Sequence, residues 1–84
     1  MRIYINKTRM TKNKYTLTII DQGNTLLRII SYIRRLDFKI EYMEIKMQDE
    51  YTSHVKLTLK GYKKPDLIVR SIKNITGVID IKKD

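Results

Sequence analysis

Apolar and polar residues follow one another along this chain in two rhythms, and the switches between them mark its elements. "YTLTIID", residues 15–21, sets Leu17 and Ile19 between Thr16 and Thr18. That period of two, in a β-branched and aromatic run, predicts a strand. "QGN" breaks the pattern. From Thr25 onward Leu26, Ile29, Ile30 and Ile33 recur at the spacing of one helix face, and Leu36 extends it. Arg28, Ser31, Arg34 and Arg35 lie off that face. Asn24 or Thr25 serves as the N-cap, and the paired arginines suit the last turn. "FKIEYMEIKMQ" returns to alternation, with Met43, Ile45 and Met47 opposed to Glu44, Lys46 and Gln48. Ile40 is out of phase with Met43, which predicts a bulge around Glu41–Tyr42.

"DEYTS" reads as a polar turn, and "HVKLTLK" then puts Val55, Leu57 and Leu59 on one face. These two strands should form an antiparallel hairpin. "GYKKPD" leads into a second helix, with Pro65 at its first position and Asp66 in its first turn. Ile68, Ile72 and Ile75 mark its buried face, Gly77 suits the C′ position, and "VIDIK" makes a last strand. The order β-α-β-β-α-β predicts an α+β, ferredoxin-like domain: a four-stranded antiparallel sheet with two helices on one face. The division expected is a flexible basic arm over residues 1–14 and one domain over 15–84.

Composition narrows this picture. A chain of 84 residues allows one small domain, which buries only about 60% of its unfolded surface. There is no cysteine, so neither a disulfide nor a thiolate metal site can help it. Association remains, and a homodimer or a larger partner is expected. Hydrophobic content of 42% beside 32% charged residues marks a folded, soluble chain. No apolar run approaches the ~18 residues of a membrane span. "MRIYINKTRMTKNK" lacks the apolar core of a secretory signal, so a cytoplasmic protein without a membrane partner is expected. The net charge is +9, and five cations fall in the first 14 residues with no acid among them. Such an arm either contacts RNA, DNA or an acidic surface, or is simply solvated. Met10 is an alternative start.

Candidate chemistry is sparse. The single histidine, His54, falls on the outward face of its strand without a partnered nucleophile. No carboxylate pair, metal-ligand spacing or phosphate-binding glycine loop is present, so no enzyme activity, metal or cofactor is expected. The fold also serves RNA-recognition modules, which stack bases on aromatic residues of the first and third strands. Here the first strand carries Tyr15 and the third carries none, which speaks against nucleic acid on the sheet. Gly23–Asn24 has two readings. Both residues tolerate positive φ and suit a tight turn. The same turn opens a helix N-terminus, whose free amides and dipole favour an anion such as a carboxylate.

At these residues the chain resembles an ACT domain, a small regulatory module that often binds amino acids. More narrowly it is similar to the small regulatory subunit of acetolactate synthase, in its short single-domain form. That family carries N-x-x-G-x-L-x-R-(V/I), then R-R-G-(F/Y)-N-I-x-S-L after a short helix. Leu26, Arg28 and Ile29 take the first set of positions, and Arg35, Phe38, Ile40 and Met43 the second. "NITGVIDIK" resembles the family's C-terminal stretch. The resemblance implies a non-catalytic subunit that dimerises through a sheet edge and the first helix. It implies as partner the large, thiamine-diphosphate-dependent catalytic subunit, whose activity it raises. It implies a valine, isoleucine or leucine effector at the dimer seam, on Asp21, Gly23, Asn24, Thr25, Leu26, Lys39 and Ile40. Asn24 stands where the family has its loop glycine, and Lys39 where it has an asparagine. Two alternatives stand beside this: an ACT sensor serving another enzyme or a stringent-response protein, and a basic ferredoxin-like nucleic-acid-binding protein.

Overall fold

In the computed structural model, which describes residues 9–20 and 23–84, the elements follow the expected order. They are β1 (Thr11–Ile20), α1 (Thr25–Arg35), β2 (Lys39–Met47), β3 (Thr52–Gly61), α2 (Asp66–Ile72) and β4 (Val78–Lys83). The strands form one antiparallel sheet in the order β2-β3-β1-β4, which is the ferredoxin-like arrangement. The alternation read from the sequence sets its inner face. Tyr15, Leu17 and Ile19 of β1 lie opposite Leu57, Val55 and Ser53 of β3. All are buried, and Ile29 and Ile33 of α1 join Ile68 and Ile72 of α2 over them with no exposed surface. Each buried Leu, Ile or Val side chain contributes roughly 1.5–3 kcal/mol of transfer free energy.

Tyr15 belongs to this core, not to an exposed edge: it is 1% exposed, and its hydroxyl donates to the Pro65 carbonyl at 3.2 Å. Burial, with the Asp66 carboxylate nearby, pushes its pKa up to about 12.

The expected bulge is present. Ile40 pairs with Leu59 and Met43 with Leu57, while the register shifts between Ile40 and Tyr42. One extra residue, Glu41, puts both apolar residues on the inner face. Its carboxylate receives Lys12 Nζ at 2.7 Å and Lys60 Nζ at 2.8 Å, tying β2 to both inner strands. Those two ammonium groups hold its pKa down at about 2.

Two boundaries and the exposure of one strand differ from the sequence reading. β1 starts at Thr11, four residues before Tyr15, because Thr11 to Lys14 pair with Gly61 to Thr58 along a long β3. Residues 1–8 of the basic arm lie outside the described residues. α2 stops at Ile72 with Lys73 as its cap, so Gly77, at φ +97, is not its C′ residue but turns the chain into β4. Ile75 keeps the helical spacing and is 8% exposed, but it sits in that turn. On β2, Ile45 is 47% and Met47 71% exposed. Alternation reports which way a side chain points, and among the described residues β2 is an edge strand with a sheet neighbour on one side only.

Candidate functional site

The β1–α1 connection is built by long-range contacts. Ile20 N–H donates to the Gly77 carbonyl at 2.7 Å, and the Thr25 hydroxyl donates to the Ile20 carbonyl at 3.1 Å. Thr25 is 2% exposed, so its side chain holds the loop together and does not face a ligand. Asn24 is the N-cap by position: its carbonyl accepts from Arg28 N–H at 3.0 Å, but its side chain makes no cap bond. Gly23, at φ +84, is exposed, and a Cβ there would meet nothing within 4 Å. The opening turn of α1 contains no acid to offset its amides. First-turn amides have no intrahelical acceptor, so this end of α1 presents donors and a partial positive charge.

A shallow groove of about 360 Å³ begins here, lined by Asn24, Leu27, Arg28, Ser31, Tyr32 and Arg35. A second groove, of about 490 Å³, lies at the far end of α1, between Ile30, Arg34, Asp37, Phe38, Lys39 and Ile40. Gly23 and Asn24 thus sit at one end of the helix, and Lys39 and Ile40 at the other. Eleven residues at 1.5 Å each separate the two ends by about 16 Å. One chain does not bring these positions together. Leu26 is half-buried and packs against the core, and Asp21 lies outside the described residues.

Leu27, Tyr32, Arg34 and Arg35 line these grooves and were not singled out as site residues. The signal was present in "TLLRIISYIRR", an acid-free helix with three arginines off its apolar face.

The opposite, helix-free face of the sheet holds a third groove of about 700 Å³, with Lys12, Lys14, Glu41, Tyr42, Lys56 and Thr58 around it. Tyr42, on β2, is 52% exposed there. His54 lies on this face with Nδ1 3.3 Å from the Thr18 hydroxyl. Among the described residues no cluster of His, Asp or Glu could hold a metal ion, and no helix is long and apolar enough to cross a membrane.

Comparison with known proteins places this architecture. No curated protein matches the chain. The ACT domain of a GTP pyrophosphokinase from Chlorobium tepidum superposes with a TM-score of 0.75 at 13% identity, covering 90% of this chain and 100% of that one. The C-terminal domain of the MgtC protein from Mycobacterium tuberculosis gives 0.69 at 10% identity, covering 96% and 92%. A homoserine dehydrogenase from Thiobacillus denitrificans gives 0.71 at 16% identity, over 92% of this chain but 17% of that one. At such identities the likeness is one of fold. The sequence itself decides the family, since residues 21–81 match the family model described as "ACT domain". The chain belongs to the ACT domain family, whose members are typically regulatory, amino-acid-binding modules.

Proposed function

We propose that this chain is a non-catalytic, cytoplasmic regulatory subunit of an acetolactate synthase. It works as a dimer, raises the activity of the thiamine-diphosphate-dependent catalytic subunit, and takes a branched-chain amino acid as effector. The motif residues Leu26, Arg28, Ile29, Arg35, Phe38, Ile40 and Met43 support the choice of enzyme.

The open edge of β2 is the observation that carries the dimer. Among the described residues β2 pairs with β3 alone, and Ile45 and Met47 stand exposed beside its open edge. An unpaired edge with apolar neighbours is a template for a second strand. Pairing β2 with its own copy about a two-fold axis also accounts for the divided site. Ile20 pairs with Thr52 and Met47 with Ser53, so α1 starts at the sheet end where β2 finishes. The two-fold then sets the partner's Lys39 and Ile40 alongside residues 23–26 of this chain. The effector's carboxylate meets the first-turn amides of α1, at roughly 1.5–3 kcal/mol for each charge-assisted hydrogen bond. Its aliphatic side chain enters the seam.

The test is acetolactate formation by the purified catalytic subunit with and without this chain. Stimulation that saturates at a fixed subunit ratio is expected, together with valine, isoleucine or leucine shifting the amides of residues 23–26. If the chain neither binds nor stimulates that subunit, the assignment fails. Amide shifts alone would then leave an ACT sensor for another enzyme. Salt-dependent RNA binding that survives removal of residues 1–8 would replace both readings.

A further inference from the structure

Among the described residues the arginines of the helices make no ion pair. Arg28, Arg34 and Arg35 on α1 and Arg70 on α2 are exposed, and among the described residues every ion pair is made by a lysine. α1 contains no acid at all. On the sheet face, by contrast, Lys12 and Lys60 are paired with Glu41 and Lys82 with Asp80.

Arg28 and Arg35 flank exposed apolar surface. Leu27 is 64% and Tyr32 39% exposed, and the Arg35 guanidinium lies over the Tyr32 ring, 5.5 Å from its centroid. Two shallow grooves meet at Arg28 and Tyr32. One runs along α1 past Leu27, and the other, of about 390 Å³, separates the helices and is lined by Ser71, Asn74 and Thr76.

We propose that Leu27, Arg28, Tyr32 and Arg35 form the surface by which this chain docks onto an acidic patch of the protein it regulates. This rests on reading the chain as a regulatory subunit. An exposed leucine alone is unremarkable. A leucine beside tyrosine, flanked by two arginines that make no ion pair among the described residues, has the anatomy of an interface centre and its rim. Guanidinium groups favour planar, bidentate carboxylates. Nucleic acid fits less well, because a base needs an open aromatic face. One face of Tyr32 is already covered by Arg35, and Leu27 offers a base nothing to stack on. A second copy fits least, since like charges would meet across the axis. The patch is also distinct from the β2 edge, towards which Ile30 and Arg34 project.

The test measures calorimetric binding of the full chain to the purified acetolactate synthase catalytic subunit at 50 and 200 mM NaCl. Wild type should bind, and more weakly at the higher salt. Arg28→Glu/Arg35→Glu should weaken binding at least tenfold with an unchanged melting temperature, whereas Lys14→Glu/Lys56→Glu on the sheet should alter it less than twofold. If wild type binds and the arginine variant binds equally well, the docking surface is refuted and the regulatory reading stands. If wild type does not bind, that reading falls, and a glutamate decapeptide decides the patch by amide shifts. Shifts concentrated at residues 27–35 and 71–76 support it. Shifts centred on Lys12, Lys14, Lys56 and Lys60, no shifts at millimolar peptide, or tighter binding of a uridine decanucleotide overturn it.

Discussion

Replacing Gly77 by alanine should destabilise the fold more than its position in a surface turn suggests. A Cβ at Gly77 would collide with Thr25 Oγ1 and lie 2.9 Å from Thr25 Cγ2 and 3.0 Å from the Ile20 carbonyl oxygen. Carbon atoms pack best at roughly 3.5–4.0 Å, so Thr25 has to move. Thr25 is buried, and its hydroxyl bond to Ile20 joins the end of β1 to the start of α1. Losing that bond leaves a buried polar group unpaired, at about 1–3 kcal/mol. Alanine at φ +97 adds roughly 1–2 kcal/mol of backbone strain. The sum, about 2–5 kcal/mol, is a large share of the ~4–12 kcal/mol that a domain of 84 residues commands. Urea denaturation at one fixed chain concentration measures it as a lower midpoint with an unchanged slope. Gly23→Ala is the internal control: φ is +84 there too, but nothing lies within 4 Å, so only the backbone strain remains. Thr25→Ala should cost less in the Gly77→Ala background than in wild type, since its hydroxyl bond is already broken there. Equal losses for the two glycine variants, or additivity of Thr25→Ala and Gly77→Ala within ~0.5 kcal/mol, would refute the contact argument.

Gly23→Asp should leave the melting curve nearly as Gly23→Ala leaves it, yet abolish amide shifts on titration with valine, isoleucine or leucine. It sets a carboxylate where the effector's is proposed to bind; a retained response would rule out that position. Ile45→Lys should convert the proposed dimer to monomer in sedimentation velocity while costing the single chain little, because Ile45 is already 47% exposed. An unchanged dimer would exclude the β2 edge. Tyr15 gives the fold an alkaline limit. Its folded-state pKa of about 12 exceeds the ordinary value of 10.0, so stability is complete below pH 10 and falls as pH rises towards 12. At 1.36 kcal/mol per unit the loss approaches ~2–3 kcal/mol. Tyr15→Phe should be weaker at pH 7 by about 1 kcal/mol, for the lost hydroxyl bond, but decline less steeply above pH 10. Parallel alkaline slopes in urea melts of the two proteins would contradict this.

Features written in local periodicity were legible. The phase slip from Ile40 to Met43 announced the bulge, and the spacing of Ile29 and Ile33 announced the buried stripe of α1. What failed to show depends on residues distant in the chain. Thr11 to Lys14 have no apolar alternation, and only the length of β3 makes them strand. Ile75 continues the spacing of Ile68 and Ile72, but the helix has already ended. Gly77 looked like a helix cap because caps are the local use of glycine; its neighbour Thr25 belongs to another element. The candidate site divides along the same line. Gly23 and Asn24 were readable as a turn before a helix, whereas the acid-free outer face of α1 becomes visible as a surface only once α2 lies beside it.

The separation of the candidate positions has a thermodynamic consequence on the proposed dimer. Gly23 and Asn24 precede one end of α1 and Lys39 and Ile40 follow the other, with about 16 Å of rigid helix between the two ends. No loop motion within one chain closes that separation, so the proposed effector site is complete only in the associated state. A ligand that binds the dimer and not the monomer must tighten association, and dilution must weaken the ligand. The apparent effector Kd should therefore rise as the chain is diluted below its own dimer dissociation constant. Effector at 100 times its Kd should stabilise association by ~2.7 kcal/mol for each site filled, roughly a hundredfold. Sedimentation equilibrium with and without valine, isoleucine or leucine measures both effects on one sample. An effector affinity that stays constant across the monomer–dimer transition would place the whole site within a single chain, and the two-ended arrangement around α1 would lose its role.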